Sequence, residues 1–275
     1  MGKVFLIFYV FTMSALAVAG ENTTWFYTQN KQVKGVILLG HGLNLRPSKM
    51  DALAAELNIA GYDVLRVAFA GHRSEEQNDW FTVKTNDWLA DAVLFYSEAQ
   101  KRAKRLRVPL NLVAYSFSAA IYELMSHEQT GELISFKKRI YLAPGIWERA
   151  WAKFVMRSLL ILPDKVSLPS ANTAEYRMHD YTSVRALRSE FELLSKIQKV
   201  TLNKLEPTLV VMSEKDELVD YVITKERGEN LGWNFFDVAK NKPSKSRHHL
   251  VIDEQALGKP EWQRVVQGAL LEFLN

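Results

Sequence analysis

The stretch Leu112-Val113-Ala114-Tyr115-Ser116-Phe117-Ser118-Ala119 (LVAYSFSA, 112–119) runs from an apolar segment straight into a helix start. It reads as the end of a buried strand over 110–115 followed by a helix over 118–127. A strand-to-helix turn this sharp holds its central residue in a strained backbone conformation, side chain outward. Strand and helix nearly touch there, so only small side chains fit two positions before and after the serine. Ala114 and Ser118 meet that demand, where glycine is the usual choice. Taken alone, the stretch is a weak match to such a turn, and a buried serine at a strand end is the default reading. The flanking chain has to decide.

Outward from that turn, strand-like and helix-like stretches alternate. GVILLG (35–40), YDVLRVAF (62–69), KRIYLA (138–143), PTLVVMS (207–213) and WNFFDV (233–238) are short apolar runs rich in β-branched and aromatic residues. Between them lie amphipathic stretches. Ser48 to Asp51 has the form of a capping box. It opens a helix with Met50, Leu53, Ala54 and Leu57 on one face, which Gly61 ends. Residues 86–106 form a long helix. Trp262, Val265, Val266, Ala269, Leu270 and Phe273 mark the inner face of the last one. This alternation predicts an α/β fold: a mostly parallel sheet covered by helices on both faces.

Residues 144–206 break the rhythm. They hold no convincing strand and carry Trp147, Trp151, Phe154, Val155, Leu159 and Leu162 at helical spacing, with a second helical stretch over 183–200. The expectation is a helical cap inserted over a ligand site at the carboxyl ends of the strands.

The 275 residues and the 48% hydrophobic content suit one sizeable domain, 20–275. The formal net charge of +4 is mild and gives no nucleic-acid footprint. The basic run Lys101 to Arg107 ends a helix, where cations suit the dipole. Lys3, the apolar run Val4 to Met13 and the small-x-small triplet Ala17-Val18-Ala19 predict a signal peptide over 1–19. The apolar run is too short for an ordinary membrane span. The expected location is therefore periplasmic or secreted. Cysteine is absent, so disulfides are excluded. No Cys/His cluster or HExxH string offers a metal site, and no glycine-rich phosphate loop offers a nucleotide site. No cofactor is expected.

Three features support Ser116 as a nucleophile. Gly40-His41-Gly42-Leu43 follows the first strong strand, where a loop can aim a backbone N–H at a developing oxyanion. Phe117, after the serine, offers a second donor. Asp216 follows the strand over 207–213. His248 and His249 follow the strand over 233–238. Serine, acid and histidine, each after a successive strand, form an order hard to reach by chance.

That order, with LLGHGLN, LVAYSFSA, SEKDELVD and HHLVID, resembles the α/β-hydrolase family over roughly 33–275, and in particular its esterase, monoglyceride-lipase and lysophospholipase branch. The resemblance implies Ser116 as nucleophile, Asp216 as acid, and His248 or His249 as base. It implies Leu43 and Phe117 as oxyanion-hole amides and 144–206 as the cap. His248 is preferred as base because Leu250 can then pack inward. Trp147, Trp151 and Phe154 are expected to line the substrate site. The expected activity is hydrolysis of a carboxylic ester, lipid-like or of medium chain length, with transient membrane-surface contact through the cap. The alternatives are a peptidase or acyltransferase on the same fold, or a non-catalytic binding protein on a hydrolase scaffold.

Overall fold

Gly35–Gly40 (β2) and Leu110–Tyr115 (β4) are buried at every position, as strands covered on both faces must be. They sit side by side in parallel at the middle of a seven-stranded sheet of order β1-β3-β2-β4-β5-β8-β9. The other strands are Thr24–Phe26 (β1), Tyr62–Arg66 (β3), Arg139–Leu142 (β5), Thr208–Met212 (β8) and Asn234–Asp237 (β9). Every pairing is parallel except that of β1, which closes the edge antiparallel to β3. The computed structural model describes residues 23–73, 79–127, 134–159, 161–204, 206–239 and 247–275. The expected leader over 1–19 lies outside them.

Helices Asp51–Ile59 (α1), Thr85–Leu106 (α2), Phe117–His127 (α3) and Tyr221–Asn230 (α6) connect the strands. In α2, Trp88, Ala92, Phe95, Ala99 and Ala103 recur at helical spacing and are all buried. The last helical stretch starts at Lys259 and contains a π turn over Val266–Leu271; Trp262, Val265, Val266, Ala269 and Leu270 are buried, as their spacing predicts.

The chain leaves β2 for β3 on one side and returns to β4 on the other. That reversal opens a crevice at the carboxyl ends of β2 and β4, where α/β sheets bind ligands. The segment following β2 and the turn holding Ser116 both lie there.

Two local expectations need correction. The Ser48–Asp51 capping box is not formed: Pro47–Met50 makes a 3-10 turn, and α1 starts at Asp51 with no side-chain cap. Proline at the first position presets φ and directs the chain into that turn. The insertion is not purely helical either. Besides Ala150–Leu159 (α4) and Val184–Ile197 (α5), it holds an antiparallel pair, Ser167–Pro169 (β6) with Tyr181–Ser183 (β7). Strands of three residues are too short for alternation to show. Helix α5 packs on α3, which fastens the insertion to the body beside the crevice.

Candidate active site

Ser116 has φ 51°, a left-handed conformation that side chains rarely adopt. Backbone bonds hold it there. Its N–H donates to Leu142 O at 2.9 Å, and its carbonyl accepts from Gly145 N at 3.0 Å and Ala119 N at 3.1 Å. The room that a glycine at 118 would normally provide comes from the neighbouring strand. A Cβ on Gly40 would lie 2.5 Å from Ser118 Oγ. Ser118 fills that gap, fully buried, and donates to Tyr115 O at 3.0 Å.

His249 Nε2 lies 2.8 Å from Ser116 Oγ, and His249 Nδ1 lies 2.8 Å from Asp216 Oδ2. An ionised carboxylate only accepts, so Nδ1 carries the proton and Nε2 is left to accept from the serine hydroxyl. Asp216 is fully buried in the loop after β8; its other oxygen accepts from Leu218 N at 2.8 Å and Val219 N at 2.9 Å. Burial alone would raise this carboxyl. The charge and hydrogen bond of His249, with the two N–H groups, outweigh burial and hold it below the usual carboxylate range.

The preference for His248 is thereby corrected. Successive side chains diverge, and it is His249 that turns toward Ser116 and Asp216. His248 turns to Glu217, with Nδ1 2.8 Å from Glu217 Oε1. Leu250 is buried, with His249, not His248, as the residue that faces Ser116.

The segment after β2 is fastened by imidazoles. His41 Nδ1 donates to Gly42 O at 2.8 Å, and its Nε2 accepts from Phe69 N at 3.2 Å. Burial pushes His41 down to about 4, against the bond to Gly42, so the ring stays neutral. In a trans peptide the carbonyl and the following N–H point opposite ways. With Gly42 O turned to His41, Leu43 N–H points away from that ring. Gly42, Leu43 and Ser116 share one cavity wall. Phe117 is the first residue of α3, so its N–H has no acceptor within the helix. His72 Nε2 accepts from Asn44 N at 2.8 Å, and burial holds His72 well below the usual imidazole range. The Asn44 side chain reaches Ser170, His179 O and Thr182, tying this loop to the β6–β7 pair. His72 and His179 were not legible as site residues: they stand far apart in sequence and follow no motif.

A cavity of about 210 Å³ opens beside Ser116 and His249. Trp151, Val155, Leu187 and Leu194 supply an apolar wall, and Asn44, Ser170, Asn172 and Thr182 a polar one. Trp151 is thus where the sequence placed it. Trp147 and Phe154 are not among the described lining. Trp147 is buried against Trp233, with ring centroids 5.7 Å apart. Phe154 is 72% exposed. At about 100° per residue it lies roughly a third of a turn from the α4 face shared by Trp151, Ala152 and Val155. Glu148 and Glu190, which carried no sequence signal, also line the cavity. Among the described residues no group of His, Asp or Glu is placed to hold a metal ion.

Residues 31–255 match the family described as serine aminopeptidase, S33. No curated protein sequence matches. Solved structures share the fold. One, from work on the metagenome-derived lipolytic enzymes LipS and LipT, has a TM-score of 0.69 at 17% identity over 93% of this chain and 97% of that one. A soluble variant of the Saccharomyces cerevisiae monoglyceride lipase has 0.70 at 14%, over 92% and 90%. The Paleococcus ferrophilus monoacylglycerol lipase has 0.63 at 16%, over 92% and 97%.

Proposed function

The chain belongs to the serine aminopeptidase S33 family and has the α/β-hydrolase fold, and from that premise we propose that it is a serine hydrolase that cleaves carboxylic esters of lipid-like or medium-chain acids. The observation that carries the reading is the unbroken hydrogen-bond chain Ser116–His249–Asp216 at the mouth of a largely apolar cavity.

In this mechanism His249 Nε2 takes the Ser116 Oγ proton as the oxygen attacks the ester carbonyl. The N–H groups of Leu43 and Phe117 receive the oxyanion. The imidazolium, held by Asp216, then protonates the departing alkoxide and leaves an acyl-enzyme. Water, deprotonated by His249, attacks the acyl carbon; Ser116 recovers its proton and the acid leaves. Wild type and Ser116→Ala are assayed on p-nitrophenyl esters from acetyl to dodecanoyl. Turnover rising to a medium-chain optimum, and lost in the variant, supports the reading; no turnover of any ester sinks it.

A second reading, an aminopeptidase, is favoured by one observation. Glu148 Oε2 is buried with no hydrogen-bond partner among the described residues. Burial and the neighbouring Glu148 push Glu190 up to about 8. Two carboxyls on the wall of a largely apolar cavity, with Lys153 acting on Glu148 without an ion pair among the described residues, suit a substrate ammonium group. Faster cleavage of aminoacyl p-nitroanilides than of any ester selects this reading.

Export after removal of residues 1–19, and contact with a membrane surface through the outer face of α4, belong to the same proposal. Phe154 on that face is 72% exposed, and helical spacing puts Lys153 and Arg157 on the same side. An apolar face flanked by cations suits an anionic lipid surface. No helix among the described residues is long and apolar enough to cross a membrane.

A further inference from the structure

Asp216 and Glu217 are consecutive, and so are the two histidines they meet. The second acid–histidine pair is not a copy of the first. Glu217 binds more backbone than side chain. Its Oε1 accepts from His248 N at 3.0 Å as well as from His248 Nδ1, and its Oε2 accepts from His249 N at 3.2 Å. One carboxylate therefore takes the peptide N–H of the residue that faces Ser116 and of the residue before it. These bonds, led by those from His248, overcome the upward effect of burial and hold Glu217 below the usual carboxylate range.

From Leu250 on, the segment is anchored by buried side chains; at His248 and His249 the backbone N–H groups are held by Glu217. Residues 247–250 form a single turn, closed by Leu250 N to Arg247 O at 3.1 Å, between β9 and the short helix Glu254–Leu257. The His249 side chain is hydrogen-bonded to Ser116 and Asp216, and its ring lies 5.3 Å from that of Tyr115. Those bonds set the ring's rotation, but the position of its Cα depends on the turn. Asp216 and Glu217 leave β8 on one rigid loop, with Arg149 Nε donating to Asp216 O at 2.7 Å. The acid that orients the imidazole and the acid that places its backbone thus move together.

We propose that Glu217 is a positioning residue: by accepting the N–H groups of His248 and His249 it fixes the distance from His249 Nε2 to Ser116 Oγ. This rests on the hydrolase reading above. Its consequence is confined to the chemical step. Glu217 does not line the cavity, so substrate binding is untouched, whereas a displacement of about 1 Å at a reacting group costs up to about 100-fold.

The test compares wild type, Glu217→Ala and Glu217→Gln. A glutamine keeps one acceptor oxygen, so it retains part of the clamp. The expected result is a kcat reduced about 10- to 100-fold in Glu217→Ala with KM within about twofold, and recovery of part of that loss in Glu217→Gln. Fluorophosphonate labelling of Ser116 slows in parallel. Unchanged kcat in Glu217→Ala, a loss confined to KM, or equal loss in both variants overturns the proposal. A readout independent of turnover is the downfield NMR signal of the His249 Nδ1 proton. It is expected in wild type, broadened or absent in Glu217→Ala and restored in Glu217→Gln. If wild type hydrolyses nothing, the hydrolase reading fails, and this signal still decides the clamp: the same resonance in all three proteins overturns it.

Discussion

His249 Nε2 stands 2.8 Å from Ser116 Oγ, although 133 residues separate the two in the chain. The contact predicts how the paired histidines divide. His249→Ala removes the proton acceptor and is expected to lower kcat by about 10⁴-fold or more. His248→Ala leaves both backbone bonds to Glu217 in place and is expected to keep at least about a tenth of wild-type kcat. Steady-state kinetics on a soluble ester checks both, and the opposite ranking would return the base to His248.

The packing of Gly40 against Ser118 predicts a coupled pair. Gly40→Ala places a methyl 2.5 Å from Ser118 Oγ and 2.6 Å from Ser118 Cβ, against a fully buried neighbour. Overpacking of this kind costs about 1–3 kcal/mol. Ser118→Gly removes both atoms, so the double variant is expected to regain much of that stability. Denaturant unfolding of the two single variants and the double variant measures the coupling. Strict additivity would show that the two residues do not compete for space.

The sequence made the central sheet legible because its strands are buried on both faces and read as continuous apolar runs. It made Ser116 and Asp216 legible because each ends such a run. It could not separate His248 from His249. Adjacent residues in one turn differ only in which way they point, and the partners that decide this, Asp216 and Ser116 for His249 and Glu217 for His248, meet them only in the fold. Aromatic spacing brought Trp147, Trp151 and Phe154 forward together, but spacing alone does not say which part of a helix faces a cavity and which faces water. His72, Asn44 and His179 share one network only after β3 and the β6–β7 pair are placed, and nothing local marks them.

For the cavity wall, Trp151 and Phe154 are expected to behave differently. Trp151 lines the cavity and Phe154 does not. Covering about 55 Å² of apolar surface at about 25 cal/mol per Å² is worth about 1.4 kcal/mol, a factor of about ten. Trp151→Ala should therefore lower kcat/KM about tenfold for an octanoyl ester and less than twofold for acetyl. Phe154→Ala should change neither soluble ester by more than about twofold. Equal losses on both esters in Trp151→Ala would assign that ring to the scaffold.

Glu190 ties stability to pH. Its ordinary value is 4.5, and burial together with the charge of Glu148 raises it to about 8 in the folded protein. Between these two values the folded chain holds a proton that the unfolded chain has released. Unfolding free energy therefore falls as pH rises through that window and levels off above about 8. The contribution is fully present below 4.5, the reverse of a salt-bridged carboxylate. Glu190→Gln keeps the shape and cannot ionise, so it should lack this part of the decline. Its melting temperature relative to wild type is expected to rise steadily from pH 4.5 to pH 8.5, as checked by thermal melts across that range. Parallel curves for the two proteins would mean that Glu190 ionises normally and that the cavity accommodates its charge without a partner.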